Sequence, residues 1–413
     1  MNDKIISALP KMKSGEELIT ELSIFPKYDA SICRMEQTVR LAALSDLYRV
    51  YIPSQMSVEI YSKLYLALLR SLQKKETKAA VRQQYQNYRA VSGQGYSGIM
   101  GGSDSFTIIG KSGIGKSSAV SRAISLITEN RVIEVESPCI KIVPCVVVQC
   151  PFDSSVKGLL LEILRKVDEV LESNYYSYAL KARATTDMLI GSVSQVALNH
   201  IGLLIVDEIQ NVANSKNGKS LIGALTQLIN NSGISICMVG TPESTPFFEQ
   251  ALQLARRSVG LQYGALDYSG YFRSFCRVMF QFQYVANRSE ITEVMMEWLY
   301  EHSSGLVSVI VSLLHDAQEI AILTGVETVN LEILNQAYQQ RLSLLHGYIQ
   351  STIFHGTQTS RKRKQENICT CINSVTELSV AFSIKALAEK AKAEKLNMVD
   401  LLKAEIEVVE VTV

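Results

Sequence analysis

The chain has 413 residues, with 41 Lys+Arg against 40 Asp+Glu, a formal net charge of +1. Hydrophobic residues make up 47% and charged ones 20%, too apolar for a disordered chain and ample for two or three packed units. This balance excludes a histone-like polyanion binder, so any contact with nucleic acid has to use a local basic surface. No stretch approaches the roughly 18 consecutive apolar residues of a membrane span; Ile201–Val206 and Leu306–Leu314 are short or interrupted by Ser. The first residues, MNDKIISALPKMKSGEEL, carry acids and lack an apolar run of signal-peptide type. The cysteines are scattered and several lie inside apolar runs, which reads as reduced, buried thiols. The expectation is a soluble, cytoplasmic protein.

In chain order, residues 1 to about 50 are mixed and mostly polar, with Pro10 and Pro26 as breakers. Tyr61, Leu64, Tyr65, Leu68, Leu69 and Leu72 then form one stripe of a 3.6-residue helix, with Ser57 as its N-cap. A polar, basic stretch (74–88) and a loop rich in Gly and Ser follow, ending at Ser105. From Phe106, short apolar runs alternate with amphipathic stretches. The runs Phe106–Ile109, Cys145–Gln149, Leu203–Val206, Ile234–Val239 and Val278–Phe282 read as buried strands of a parallel sheet covered by helices on both faces. After Asn287 the pattern is helical, in Ile291–His302, Gly305–Leu323 and Leu331–Leu345, which predicts a small all-helical lid. The tail carries a basic run, Arg361–Lys364, and a charged, Ala-rich helix around Ser383–Glu407. Cys369 and Cys371 form a CxC with no second pair and no nearby His, which excludes a zinc site.

Three motifs carry chemistry. The run Gly110-Lys-Ser-Gly113-Ile-Gly115-Lys116-Ser117-Ser118 is a complete G-x-x-x-x-G-K-[ST], set between an apolar strand and a helical stretch. Glycines let backbone N–H groups curl around phosphates, the helix N-terminus adds a positive dipole, Lys116 reaches the β- and γ-phosphates, and Ser117 offers its hydroxyl to Mg²⁺. The second motif, the strand Ile201–Val206, ends in Asp207 and Glu208. Asp207 suits a Mg²⁺ ligand and Glu208 an acid that orients attacking water, a pairing that favours hydrolysis over phosphotransfer. The third strand ends in Val239-Gly240-Thr241, where Thr241 is the candidate sensor of water or γ-phosphate. Its bland alternative is simple turn chemistry. Beyond it, Arg256 and Arg257 are alternatives for an arginine that enters a neighbouring copy's site and stabilises charge on the transferring phosphate.

Taken together, GKSGIGKS, VVVQCPFDSSVKGLLLEILRKV, HIGLLIVDEIQNV, ISICMVGTPES and LARRS resemble the TnsC/TniB group of transposition regulators. These are AAA+ ATPases related to origin-recognition initiators. The segment RLAALSDLYRVYIPSQMSVEIYSKLYLALLRSL resembles that group's lead-in, and the likeness covers roughly residues 35–345. It implies an α/β AAA+ P-loop NTPase with a parallel sheet flanked by helices and an all-helical lid. The implied division is an extension (1–40), a nucleotide-binding domain (41–286), a lid (287–348) and a basic, helical tail (349–413). The implied activity is slow ATP hydrolysis with Mg²⁺ in a bacterial, DNA-associated regulator. It assembles with itself as a ring or helical filament on double-stranded DNA, links a target-selection factor to transposase subunits, and comes apart on hydrolysis. Gly110, Gly113, Gly115, Lys116, Ser117 and Ser118 are then the nucleotide-binding residues and Ser117 with Asp207 the metal ligands. Glu208, Thr241 and Arg256 or Arg257 are the catalytic ones. One departure from the wider AAA+ pattern is that Ser303–Ile310 lacks the arginine many relatives use as a second sensor.

Initiator-type relatives insert an extra helical element after the second strand, here within Lys157–Ser194. Its Tyr-rich stretch offers Lys181, Arg183 and Thr185 for contacts to DNA phosphates, against the bland alternative of a solvated helix face. Two other functions stay open at this point: an ATP-assembled scaffold with negligible turnover, and a P-loop small-molecule kinase. The kinase is disfavoured because residues 288–345 hold only Arg288 and Arg341 for clamping phosphate.

Overall fold

The computed structural model describes residues 2–75, 77–91, 105–129, 131–136, 139–213, 215–246 and 260–342. Arg256, Arg257, the Arg361–Lys364 run, Cys369, Cys371 and the helix expected around Ser383–Glu407 lie outside the described residues.

Helices α1 (Asn2–Ser7), α2 (Gly15–Leu22), α3 (Gln37–Ala43), α4 (Gln55–Lys75) and α5 (Lys78–Val91) lead into strand β1 (Phe106–Gly110). Helix α6 (Lys116–Thr128) follows, then β2 (Ile133–Glu136) and β3 (Cys139–Gln149). Helices α7 (Val156–Leu171), α8 (Tyr175–Lys181) and α9 (Thr186–His200) lead to β4 (Ile201–Asp207). Then come α10 (Gly218–Ser232), β5 (Ser235–Gly240) and β6 (Leu261–Tyr263). The last described helices are α11 (Gly270–Met279), α12 (Glu293–Ser303), α13 (Val307–Thr324) and α14 (Leu331–Ala337), the last running into a π turn at Tyr338–Leu342.

The six-stranded sheet has the order β2-β3-β4-β5-β1-β6, and all pairings except the antiparallel β2–β3 hairpin are parallel. Strands β1 and β5 are buried along their whole length, and β4 along all but its last residue. Full burial on both faces explains why they read as continuous apolar runs. Side chains alternate between two cores. Leu204, Val206, Ile236 and Met238 pack under α7, α9 and α10 through Leu160, Ile163, Val193 and Leu225. Leu203, Ile205, Cys237 and Val239 pack on the other face with α4 and α6 through Leu64, Leu68, Ala119 and Val120. Ile5, Leu18 and Leu22 join this second core, so the N-terminal residues contribute to the α/β layer. Among the described residues Cys33, Cys145, Cys150, Cys237 and Cys276 are free thiols. Burial pushes Cys150 up to about 11 and Cys145 up to about 12, which keeps both protonated.

Two expectations are corrected. Val278–Phe282 is not a strand. It continues from α11, whose buried Phe272, Phe275, Cys276 and Met279 recur with helical spacing, and the remaining parallel strand is the short β6. Ser57 lies inside α4 and is buried, two residues past the start at Gln55. Its Oγ accepts from Ser54 N at 3.1 Å and pairs with Tyr51 OH at 2.8 Å, while Ser54 O receives Val58 N at 3.3 Å.

The helical lid has the three helices its periodicity predicts. Thr292 and Asn330 cap α12 and α14 by accepting from Met295 N at 3.2 Å and Ile333 N at 2.9 Å. Helix α13, 18 residues with a mean hydropathy of 1.4, is long and apolar enough to cross a membrane by length and composition; half of it is buried. Its Ile310, Leu313, Leu314, Ala317 and Ala321 lie in the core. The segment before α4 fastens onto this part of the chain. Arg40 makes two bonds to the Glu327 carboxylate, 2.6 and 2.7 Å, and a third to Tyr284 O at 3.2 Å. The Arg40 guanidinium holds the Glu327 carboxyl below its ordinary value. Tyr28 OH donates to Gln283 O at 2.6 Å, and its ring meets Phe282 and Tyr284 edge-on.

Helix α4 sits close on the sheet because Gly202 has no side chain. A Cβ there would lie 2.4 Å from Pro144 O and 2.5 Å from Leu68 Cδ1. Gly202→Ala is therefore expected to destabilise the fold by about 1–3 kcal/mol through overpacking, measured as a lower urea midpoint at unchanged slope.

Candidate functional site

The parallel strands end along one edge, and that edge is the site. Ile109 pairs with Gly240, Val206 with Met238 and Gln149 with Asp207, which sets Gly110, Asp207 and Gly240 within two residues of one another along that edge. Crevices outside the carboxyl ends of such strands are where α/β sheets bind ligands. Here a cleft of about 820 Å³ is lined by the phosphate loop, Asp207, Glu208, Gln210 and Thr241. Its apolar lining comes from Leu47, Tyr48, Val50, Ile52, Phe275 and Val311.

The loop is built by backbone conformation. Gly113 and Gly115 have φ of +83° and +95°, left-handed values that cost little only in glycine. Gly110 is needed for space, since a Cβ there would lie 2.6 Å from Ile114 Cδ1 and 2.8 Å from Tyr263 O. Gly115 caps α6, so the free N–H groups of that helix face the loop's interior. Lys116 is buried, and its Nζ donates to Gly110 O at 2.7 Å and Lys111 O at 2.8 Å. Burial draws its ammonium below the ordinary lysine value, while Asp207, Glu208 and Glu243 act in the opposite direction. Ser118 lies on the exposed side of the first turn of α6.

Ser117 Oγ donates to Asp207 Oδ2 at 3.0 Å, bringing together a hydroxyl from the first turn of α6 and a carboxylate from the end of β4. Such hard oxygen donors suit Mg²⁺, so the residues present fit the metal. Asp207 Oδ1 accepts from Glu208 N at 2.8 Å. Glu208 is exposed, with φ +57°. Thr241 lines the same cleft, and its hydroxyl bond to Glu243 holds that carboxyl below its ordinary value. The arrangement can surround a polyphosphate with N–H donors and a cation, hold a divalent ion, and present a carboxylate to water.

The structure thus brings together the phosphate-loop residues, Asp207, Glu208 and Thr241. The expected DNA residues lie elsewhere. Asp168 anchors the start of α8 by accepting from Tyr175 N at 3.0 Å and Tyr176 N at 2.8 Å. Lys181 ends that helix and is exposed, as is Arg183, whose φ is +48°. Thr185 caps α9 by accepting from Met188 N at 3.4 Å, which leaves its hydroxyl proton available.

Three features were missed in the sequence. The apolar lining around Leu47–Ile52 had only the lead-in segment as its signal. Gln210 had only its place in the DEIQN run. Ser308 is the third: its N–H donates to Gly113 O at 3.0 Å, so the N-terminal turn of α13 bonds directly to the phosphate loop. It falls within the segment noted for its missing arginine.

Sheet order, phosphate loop and paired acids define the class: an AAA+ P-loop fold with a mixed α/β core and a helical lid. Consistent with this, residues 100–248 match the AAA domain family. No curated protein gives a significant sequence match. Similar solved structures include that of the Aeropyrum pernix ORC1 protein in complex with DNA, at 14% identity and a TM-score of 0.42. The similarity covers 63% of this chain and 63% of that one. Another is the Drosophila ORC bound to DNA, at 11% identity and a TM-score of 0.44, covering 99% of this chain and 86% of that one.

A Cβ on Gly113 would lie 2.3 Å from Ser308 Oγ. Gly113→Ala is expected to weaken nucleotide binding about tenfold, since left-handed strain alone costs about 1–2 kcal/mol. Adding Ser308→Gly should restore part of that loss by removing the clash but not the strain. Titration with a fluorescent ATP analogue reads both effects.

Proposed function

We propose that this chain is an ATP-dependent AAA+ regulator of transposition that assembles on double-stranded DNA and comes apart when its ATP is hydrolysed. The observation that carries the nucleotide part is Ser117 held 3.0 Å from Asp207, beside a left-handed glycine loop and a second acid. Gly110, Gly113, Gly115, Lys116, Ser117 and Ser118 bind the triphosphate, and Ser117 and Asp207 hold Mg²⁺, whose charge offsets that of the phosphates when bound. Water attacks the γ-phosphorus as the bond to the bridging oxygen breaks. The electron pair leaves with ADP, and Glu208 takes the water's proton. Thr241 orients the water or the γ-phosphate. Arg256 or Arg257 of an adjoining copy completes the site.

In this reading residues 1–40 are an N-terminal extension, 41–286 form the nucleotide-binding domain, 287–348 the lid and 349–413 a basic, helical tail. The DNA and transposition parts rest on the likeness of the DEIQN, VGTPES and LARR motifs to TnsC/TniB regulators. The exposed Lys181 and Arg183 are in keeping with contact to DNA phosphates. A target-selection factor and transposase subunits are the protein partners.

Electron microscopy and sedimentation with duplex DNA and a non-hydrolysable ATP analogue test the proposal. Assemblies are expected with nucleotide, absent in Lys116→Ala, and strongly weakened by salt. Glu208→Gln should bind ATP yet leave assemblies that persist. Disassembly identical to wild type would favour a scaffold in which turnover is incidental. A protein that stays monomeric with ATP and duplex at low salt would sink the proposal.

A further inference from the structure

The two acids are followed by Ile209-Gln210-Asn211 in a short 3-10 turn, Ile209–Val212, whose polar side chains have no task in the scheme above. Gln210 spans two strand ends. Its Nε2 donates to Glu208 Oε2, and its Oε1 accepts from Thr241 N at 3.3 Å. Asn211 reaches the other way, donating from Nδ2 to Cys150 O at 2.9 Å, just past β3. Ser154 Oγ returns a bond to Asn211 O at 3.2 Å. Two consecutive side chains therefore cross-tie the carboxyl ends of β3, β4 and β5.

Space for this tie is provided by Gly240. A Cβ there would lie 2.9 Å from Gln210 Oε1 and 2.7 Å from Ile209 Cγ2. The amide thus sits where any side chain at position 240 would have to go. Glu208 needs such a tie because its side chain is exposed and its backbone adopts the left-handed conformation, φ +57°. Among the described residues Gln210 is the hydrogen-bond partner of its carboxylate. A freely rotating carboxylate would be aimed at water only part of the time. Donation to one oxygen restrains the group and leaves the other oxygen to accept from water.

We propose that Gln210 is a positioning residue for Glu208. Its amide orients the carboxylate that takes the water's proton, and its carbonyl oxygen fastens that carboxylate to the strand end carrying Thr241. The inference rests on the reading of Glu208 as the acid that serves ATP hydrolysis. It adds that Glu208 and Thr241 act as one unit joined by a third side chain.

The test uses the full chain and four variants: Gln210→Met, Gln210→Glu, Glu208→Gln and Gln210→Met with Glu208→Gln. Met is close to Gln in size but offers neither donor nor acceptor of useful strength. Glu keeps the acceptor for Thr241 N, loses the donor and faces Glu208 with a second carboxylate. Steady-state ATP hydrolysis, ATP affinity by direct titration and the thermal midpoint are measured for each. The expected result is a fall in kcat of about tenfold for Gln210→Met and a larger fall for Gln210→Glu. ATP affinity should stay within about twofold, and Gln210→Met should lower the residual rate of Glu208→Gln no further. If Gln210→Met does not fold, Gln210→Glu carries the same readout.

Several results overturn the inference: kcat unchanged or raised, affinity falling in step with kcat, or a full additional loss in the Glu208→Gln background. Wild-type hydrolysis that Glu208→Gln abolishes but neither Gln210 variant slows would remove this inference alone. Absence of turnover in the wild type would remove the hydrolysis reading, and this inference with it.

Discussion

The site depends on the alignment of parallel strand ends. Strands β1 and β4 are not neighbours; β5 lies between them, so their backbones are separated by two strand spacings, roughly 10 Å. Neither the loop after β1 nor the acid after β4 makes the site alone. The register brings both to one edge, and the loop together with the first turn of α6 bridges the gap until Ser117 Oγ is 3.0 Å from Asp207. Burial on both faces of β1, β4 and β5 fixes that register, because slipping a strand by one residue would exchange its two sets of packed side chains.

Around that edge, polar side chains act as ties between elements. Lys116 closes the loop on its own carbonyls, Gln210 joins β4 to β5, and Asn211 joins β4 to the chain beyond β3. Such bonds contribute only about 1 kcal/mol each to stability. Their larger effect is to restrict where the Glu208 carboxylate and the backbone at Thr241 can be.

The lid is held at two places. Ser308 N bonds to Gly113 O at the phosphate loop, and Arg40 bonds to Glu327 at the far end of α13. The segment Ser303–Ile310 carries no arginine. The backbone bond from helix α13 to the loop connects the two directly, since any movement of Gly113 acts on the first turn of that helix. The N-terminal segment forms the opposite anchor, so a stretch that reads as mixed and mostly polar is a structural part of the lid's seat.

Legibility in the sequence followed locality. The phosphate loop was readable because eight contiguous residues carry the whole motif, and its glycines are demanded by φ of +83° and +95°. Strands β1, β4 and β5 were readable because burial on both faces leaves an apolar run. The run at Val278–Phe282 is apolar too, but it covers the end of an amphipathic helix and the turn beyond it, while the three-residue, half-buried β6 left no pattern. Thus the sequence by itself determined the fold class, the glycine loop after β1 and the two acids at the end of β4. Tertiary structure alone decided that Gln210 meets Thr241, 31 residues away, and that Ser308 meets Gly113. It alone assembled the cleft's apolar wall from Leu47, Ile52, Phe275 and Val311. Contacts between distant segments follow from how helices and strands pack, and packing leaves no period or spacing in the chain to read.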